Sequence, residues 1–169
     1  VLQQGGVSVK VKVSVANLVM IVGGLVTFIF SFLDFYSVGP FGVNAWDTDG
    51  GAFATTIPAI LAIAMVAWCV LELIGTKMPA QVLTFSAAQL KGTWGIASAG
   101  IMLGWITTGG DWGVGFWLMF VGSLAMGVGS VMGLLNLGGQ TIDLATIKQT
   151  PSGPPPPPPG YSPPSSSGQ

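Results

Sequence analysis

The sequence predicts an all-α membrane protein with four transmembrane helices, both termini cytoplasmic, and a disordered proline-rich C-terminal tail. Three observations predict it. Of 169 residues, 50% are hydrophobic and only 7% are charged, where a soluble domain carries about 25% charged residues. Four charge-free stretches, 13–33, 50–71, 92–110 and 112–142, are each near or above the length of about 20 residues that a helix needs to cross about 30 Å of hydrocarbon. With four crossings, Lys10, Lys12, Lys77, Lys91 and Lys148 all fall on one side, and Asp34, Asp47, Asp49 and Asp111 on the other. The positive-inside rule assigns the lysine side to the cytoplasm. A soluble bundle of buried helices would need polar outer faces, and these runs are apolar nearly all round.

The remaining composition excludes chemistry. There is no Arg or His, so His-based acid–base catalysis and His-ligated metals are out. Net charge of -1 provides no field for nucleic acid, and the single Cys69 cannot form an internal disulfide.

Residues 1–12 form a cytoplasmic N-terminal segment. Val7, Val9, Val11, Val13 and Val15 alternate with Ser or Lys, an extended or interfacial approach rather than a paired strand, since no second strand pattern stands ready. A signal peptide cleaved near Ser37-Val38-Gly39 is the competing reading, but the apolar run exceeds the usual h-region of about 7–15 residues.

The transmembrane domain is expected over 13–137, with spans about 16–36, 53–74, 92–108 and 113–135. The first ends in Phe28, Phe30, Phe32, Phe35 and Tyr36, an aromatic belt at the headgroup layer. In the external loop that follows, Gly39-Pro40 and Asp49-Gly50-Gly51 signal turns. Asp47 and Asp49 begin a D-x-D-G pattern, but the downstream acidic ligand of a calcium loop is missing, so a solvated turn is expected and no metal. The stretch around Asn44, Trp46, Asp47 and Asp49 is the candidate external contact.

The second span carries Pro58 in its first turns and a small face of Ala59, Ala62, Ala64 and Ala67. Glu72, near its cytoplasmic end, is expected to snorkel or to pair with Lys77 rather than to relay protons. The connection 75–92 is too short to span; Met78, Val82, Phe85 and Leu90 suit a short helix on the membrane surface. Gly100 with Gly104, with Gly95 and Ala99 on the same stripe, and Gly129 with Gly133, with Ala125 four residues earlier, form small-xxx-small stripes for helix packing, inside the bundle or in an oligomer. Trp94, Trp105 and Trp112 lie at span ends, where an aromatic belt belongs.

Residues 138–169 are expected to be a cytoplasmic Pro/Gly/Ser-rich disordered tail with polyproline II content. Within it Pro158, Pro159 and Tyr161 match a PPxY ligand, against the plainer reading of a solvated tail.

"FSFLDFYS" (30–37), "VNAWD" (43–47), "GFWLM" (115–119) and the Pro/Gly/Ser/Tyr tail together resemble a family of small uncharacterised actinobacterial membrane proteins with four transmembrane helices and a proline-rich cytoplasmic tail. The resemblance covers most of 8–135. It implies topology and a place in the cell envelope and adds no catalytic residue.

With no nucleophile–base pair, metal cluster, phosphate-binding loop or cofactor motif, the expectation is a non-enzymatic, multi-pass plasma-membrane protein. It would be a scaffold or accessory subunit of a cell-envelope assembly, with the bilayer and a membrane-protein partner or a second copy as its contacts. The rival is an oligomeric channel or transporter component lined by Ser98, Thr107, Thr108, Ser123 and Ser130. An enzyme built on the outer acids is a third, weaker option.

Overall fold

The structure, a computed structural model, describes residues 12–47, 52–137 and 141–143. It is mostly helical: α1 (Val15–Phe30), α2 (Ala52–Leu73), α3 (Ala87–Thr108) and α4 (Val114–Leu134) form a bundle in which each helix packs on its neighbours in chain order and α4 closes the ring on α1. Two of them, over Ala54–Leu73 and Val114–Leu134, are long and apolar enough to cross a membrane. α1 has only 16 residues, about 24 Å of helix. α3 has 22 residues but opens with Gln89, Lys91 and Thr93, which lower its hydropathy.

Three two-stranded antiparallel elements finish the two ends. β1 (Lys12–Ser14) pairs with β6 (Thr141–Asp143), β2 (Asp34–Val38) with β3 (Phe41–Asn44), and β4 (Gln81–Val82) with β5 (Phe85–Ser86). Each corrects an expectation. The last part of the valine alternation, Lys12–Ser14, is a strand, because Thr141–Asp143 returns to pair with it, and residues 7–11 lie outside the described residues; within the tail, 141–143 is therefore a strand. That pairing also brings both ends of the described chain to one end of the bundle. The external loop is a hairpin around Gly39, whose φ of +62° suits a residue without Cβ, followed by Pro40. The 75–92 connection is a hairpin and not a surface helix.

Caps set the helix starts. The Ser14 hydroxyl accepts from Asn17 N at 3.1 Å to open α1. Ser86 and Gln89 form a reciprocal capping box that starts α3 at Ala87, so Lys91 lies inside the helix rather than before it. α1 stops at Phe30, short of the expected span end, and the chain turns through Ser31–Leu33 into β2. Pro58 falls in the second turn of α2, past the positions where a missing N–H costs nothing.

The core is made of small and flexible side chains. Ala16, Met20, Ala62, Met65, Cys69 and Met126 fill the half near β1; Phe35, Ala45, Ala59, Met102, Phe116 and Met119 fill the other. Gly115, Gly122 and Gly129, a heptad apart on α4, face α1 and the turn after it. A Cβ on Gly122 would lie 2.8 Å from Gly23 O, and one on Gly129 2.9 Å from Met20 Cγ. Gly133 barely touches Met20, at 4.0 Å. Gly100 and Gly104 have nothing within 4 Å and are exposed. Of the expected α3 stripe, Gly100 and Gly104 therefore meet nothing close inside the bundle, while Gly95 and Ala99, with Gly92 and Ser98, meet α4.

Candidate functional site

The two ends of the bundle carry distinct side-chain constellations. At the β1 end, four residues from three helices close a polar clasp. Lys91 Nζ donates to Glu72 Oε2 at 2.8 Å and to Asn17 Oδ1 at 3.2 Å. Asn17 Nδ2 donates to the same Glu72 oxygen at 3.2 Å, and Trp68 Nε1 to the other oxygen at 2.8 Å. The pair is mostly shielded, with side-chain exposures of 13% for Lys91 and 24% for Glu72. Ser130 on α4 donates to the Lys91 carbonyl at 3.0 Å, so the fourth helix joins through the backbone. Trp68 and Trp94 meet edge to face beside it at 6.0 Å. Glu72 thus pairs with Lys91 across two helices and not with Lys77. Its oxygens accept from three donors on three helices, an arrangement suited to holding the helices together.

Midway along the bundle, hydroxyls link three helices. Ser98 Oγ donates to Ser123 Oγ at 3.0 Å, Ser123 and Thr27 hydroxyls lie 3.4 Å apart, and Thr27 donates to Gly23 O at 2.9 Å. Ser98, Ser123 and Ser130 are buried. Thr107 and Thr108 are exposed and return their hydroxyls to Gly104 O and Trp105 O in their own helix. No buried side-chain oxygen or nitrogen lacks a partner among the described residues. Of the hydroxyls proposed as a polar path, Ser98, Ser123 and Ser130 thus lie in helix–helix contacts, and Thr107 and Thr108 lie on the surface of α3.

At the opposite end the hairpin β2–β3 is a cap docked on the α3–α4 connection. Ser37 N donates to Asp111 O at 2.9 Å and Gly113 N to Phe35 O at 3.1 Å. The expected external contact residues are partly spent on this cap. Asn44 Oδ1 accepts from Trp46 N at 2.8 Å, and Trp46 Nε1 donates to Ser31 Oγ at 2.8 Å while its ring stacks on Phe32 at 5.6 Å. Thr55 and Thr56 of α2 both donate to Ala45 O. Trp46 keeps 37% of its surface exposed. Asp47 is exposed; Asp49, with Pro158, Pro159 and Tyr161, lies outside the described residues.

Under the cap sits an aromatic cluster that spacing alone did not assemble. Phe35, Trp105 and Trp112 have ring centroids 5.9–6.0 Å apart, with interplanar angles of 81°, 83° and 77°. Three planes, each nearly perpendicular to the other two, make the corner of a box. Tyr36 adds a fourth ring 5.7 Å from Trp112. Phe116 stacks on one face of Trp112 at 4.4 Å and backs the corner. A cavity of about 200 Å³ opens here, lined by Phe35, Tyr36, Thr55, Trp105, Thr108, Gly109 and Trp112. The signal that could have found it is the recurrence of aromatic residues at the ends of three apolar runs on one side of the chain.

Comparison of the chain with protein-family models, with curated proteins and with solved structures returns no match. The function therefore has to be argued from the fold and these two sites.

Proposed function

We propose that this is a non-enzymatic integral protein of the plasma membrane that crosses the bilayer four times, with both termini in the cytoplasm, and serves as a scaffold or accessory subunit of a cell-envelope assembly. The observation that carries the reading is the inverted distribution of apolar side chains. Val22, Leu25 and Ile29 of α1, Ile60 and Ile63 of α2, Ile96 and Leu103 of α3, and Val121 and Val128 of α4 are all exposed, while Ala, Gly, Ser, Thr and Met fill the interior. In water such a contiguous apolar perimeter is a liability. In a bilayer it is the solvent-facing surface, and small residues at helix contacts supply the association.

Charge supports the orientation. Asp34, Asp47 and Asp111 occupy the hairpin end, and Lys12, Lys77 and Lys91 the β1 end, which the positive-inside rule puts in the cytoplasm. The short α1 suits a crossing completed by local thinning or by its flanking aromatic residues. The exposed stripe of Gly100 and Gly104, between the ridges of Ile96 and Leu103, offers a neighbouring transmembrane helix or a second copy a close approach.

Single cysteines at Phe41→Cys and Leu83→Cys, in a Cys69→Ala background, test the topology, since Phe41 is 73% and Leu83 90% exposed. A membrane-impermeant maleimide applied to intact cells is expected to label position 41 at once and position 83 only after permeabilisation. Labelling of both, or the reverse order, overturns the four-span orientation.

A further inference from the structure

The cavity under the cap has a shape and a charge environment that select a ligand class. We infer that it binds a small organic cation of the quaternary ammonium type, held by Tyr36, Trp105 and Trp112 against Phe35. The rings supply the first argument. Aromatic faces carry negative potential, a cation within about 6 Å of a ring centroid is attracted to it, and several faces meeting at right angles sum their fields at one point. The Phe35, Trp105 and Trp112 planes lie at 77–83° to one another, and all three rings line the one cavity.

Charge is the second argument. Asp34 precedes Phe35 and Asp111 precedes Trp112, and both are exposed. The lysines whose side chains are described, Lys77 and Lys91, belong to the other end of the bundle. A cation approaching this end meets only negative fixed charge among the described residues, an attraction that salt screens. An anion would be repelled.

Size is the third. About 200 Å³ is below the range of a drug-sized ligand and holds roughly six or seven water-sized groups. Four alkyl groups around one nitrogen fit that space. The cavity also has polar edges at Tyr36, Thr55 and Thr108. Thr108 already donates to Trp105 O at 2.8 Å, so toward a ligand its oxygen is an acceptor. An acceptor rim suits the hydroxyl or the weakly polar methyl groups that accompany an ammonium centre.

Gly109 and Gly110 allow this wall to form. Gly109 has a φ of +68°, and a Cβ on Gly110 would lie 2.6 Å from Tyr36 Cε2, so the Tyr36 ring lies directly on the loop backbone. The same chemistry arrives in two ways, as a free solute or as the headgroup of an outer-leaflet lipid. Only the second depends on the membrane orientation proposed above; binding to the purified protein does not.

The test uses radiolabelled choline and the full chain in phosphatidylglycerol nanodiscs. Saturable binding is expected, displaced by tetramethylammonium but not by dimethylbutanol, the neutral isostere of choline. Trp105→Leu is expected to weaken affinity about tenfold or more, and Asp111→Asn a few-fold, with the Asp111 effect shrinking at high salt. Asp111 is exposed and joins the cap through its backbone carbonyl, so Asp111→Asn remains informative if Trp105→Leu fails to fold by circular dichroism. Nanodiscs of phosphatidylcholine assign the source: reduced binding of added choline means that lipid headgroups occupy the cage, and unchanged binding means that a free solute does. Absence of saturable binding overturns the inference. So does equal displacement by dimethylbutanol, or unaltered affinity in both variants.

Discussion

The clasp at one end of the bundle and the aromatic cap at the other do the same mechanical work with opposite chemistry. Both tie several helices at a point where the chain leaves the apolar region. The clasp uses one carboxylate, one ammonium, one amide and one indole, and each hydrogen-bonding group is turned on another. It has to close on itself, because a charge left unmatched in a low-dielectric setting is costly. The cap uses rings and strand hydrogen bonds. Rings prefer edge-to-face angles over flush stacking, and perpendicular planes do not fill a corner. The cap therefore leaves a cavity of about 200 Å³ among its rings, whereas the clasp turns its polar groups on one another.

The most disruptive way to break that contrast is Phe35→Ala. Phe35 is 2% exposed and contacts Trp105, Trp112 and Phe116 edge to face. Its loss is expected to cost about 3 kcal/mol in detergent–SDS unfolding titrations. Hydrogen exchange should rise over 34–44 and 108–116 and stay low around Glu72 and Lys91. Exchange that rises equally at both ends would mean that the bundle opens as one cooperative unit and that the two ends are not independent.

Lys91→Met attacks the other end. It leaves Glu72 charged, with Asn17 and Trp68 as its remaining donors. The pair is neither fully buried nor exposed, so the expected loss is about 2 kcal/mol, between surface and buried ion pairs. Adding Glu72→Gln should recover at least half of it, because the uncompensated charge goes with the carboxylate. A double variant no better than Lys91→Met alone would show that the lysine stem, not the charge, is what the clasp requires.

How much of this was legible in the sequence follows from range. The four apolar helices could be read from charge-free runs, because hydropathy is a local sum. The aromatic ends of the runs could be read for the same reason, though not the way Phe35, Trp105 and Trp112 converge. The Glu72 partner was misjudged because Lys77 is the near lysine in sequence, whereas Lys91 reaches Glu72 only once α2 and α3 pack side by side. β1 was read as unpaired because its partner, Thr141–Asp143, is a strand only when the whole bundle brings it back. In the hairpin at 34–44 the turn at Gly39-Pro40 was legible, but residues 34–36 were read into the first span and the strand pairing was not seen, because the hairpin docks on Asp111–Gly113, which lies in another connection. Among the glycines, four-residue stripes were read at Gly100 with Gly104 and at Gly129 with Gly133, whereas the contacts on α4 fall on Gly115, Gly122 and Gly129 and nothing approaches Gly100, a difference only packing can show.

That last distinction yields the smallest effects and the finest test. A Cβ on Gly122 would lie 2.6 Å from Thr27 Oγ1 and 2.8 Å from the Gly23 carbonyl, so α1 and α4 must part to admit it. Gly122→Ala is expected to cost about 1–2 kcal/mol. At Gly100 the same methyl meets nothing within 4 Å, and replacing a mid-helix glycine is expected to stabilise the monomer by about 0.5–1 kcal/mol. The sign should therefore reverse between two glycines on neighbouring helices. Crosslinking in membranes then reads what the open stripe faces. If Gly100→Ala raises monomer stability yet lowers crosslinked species, a partner helix needed the missing side chain; if crosslinking holds steady, the stripe faces lipid and the scaffold must grip its partner elsewhere.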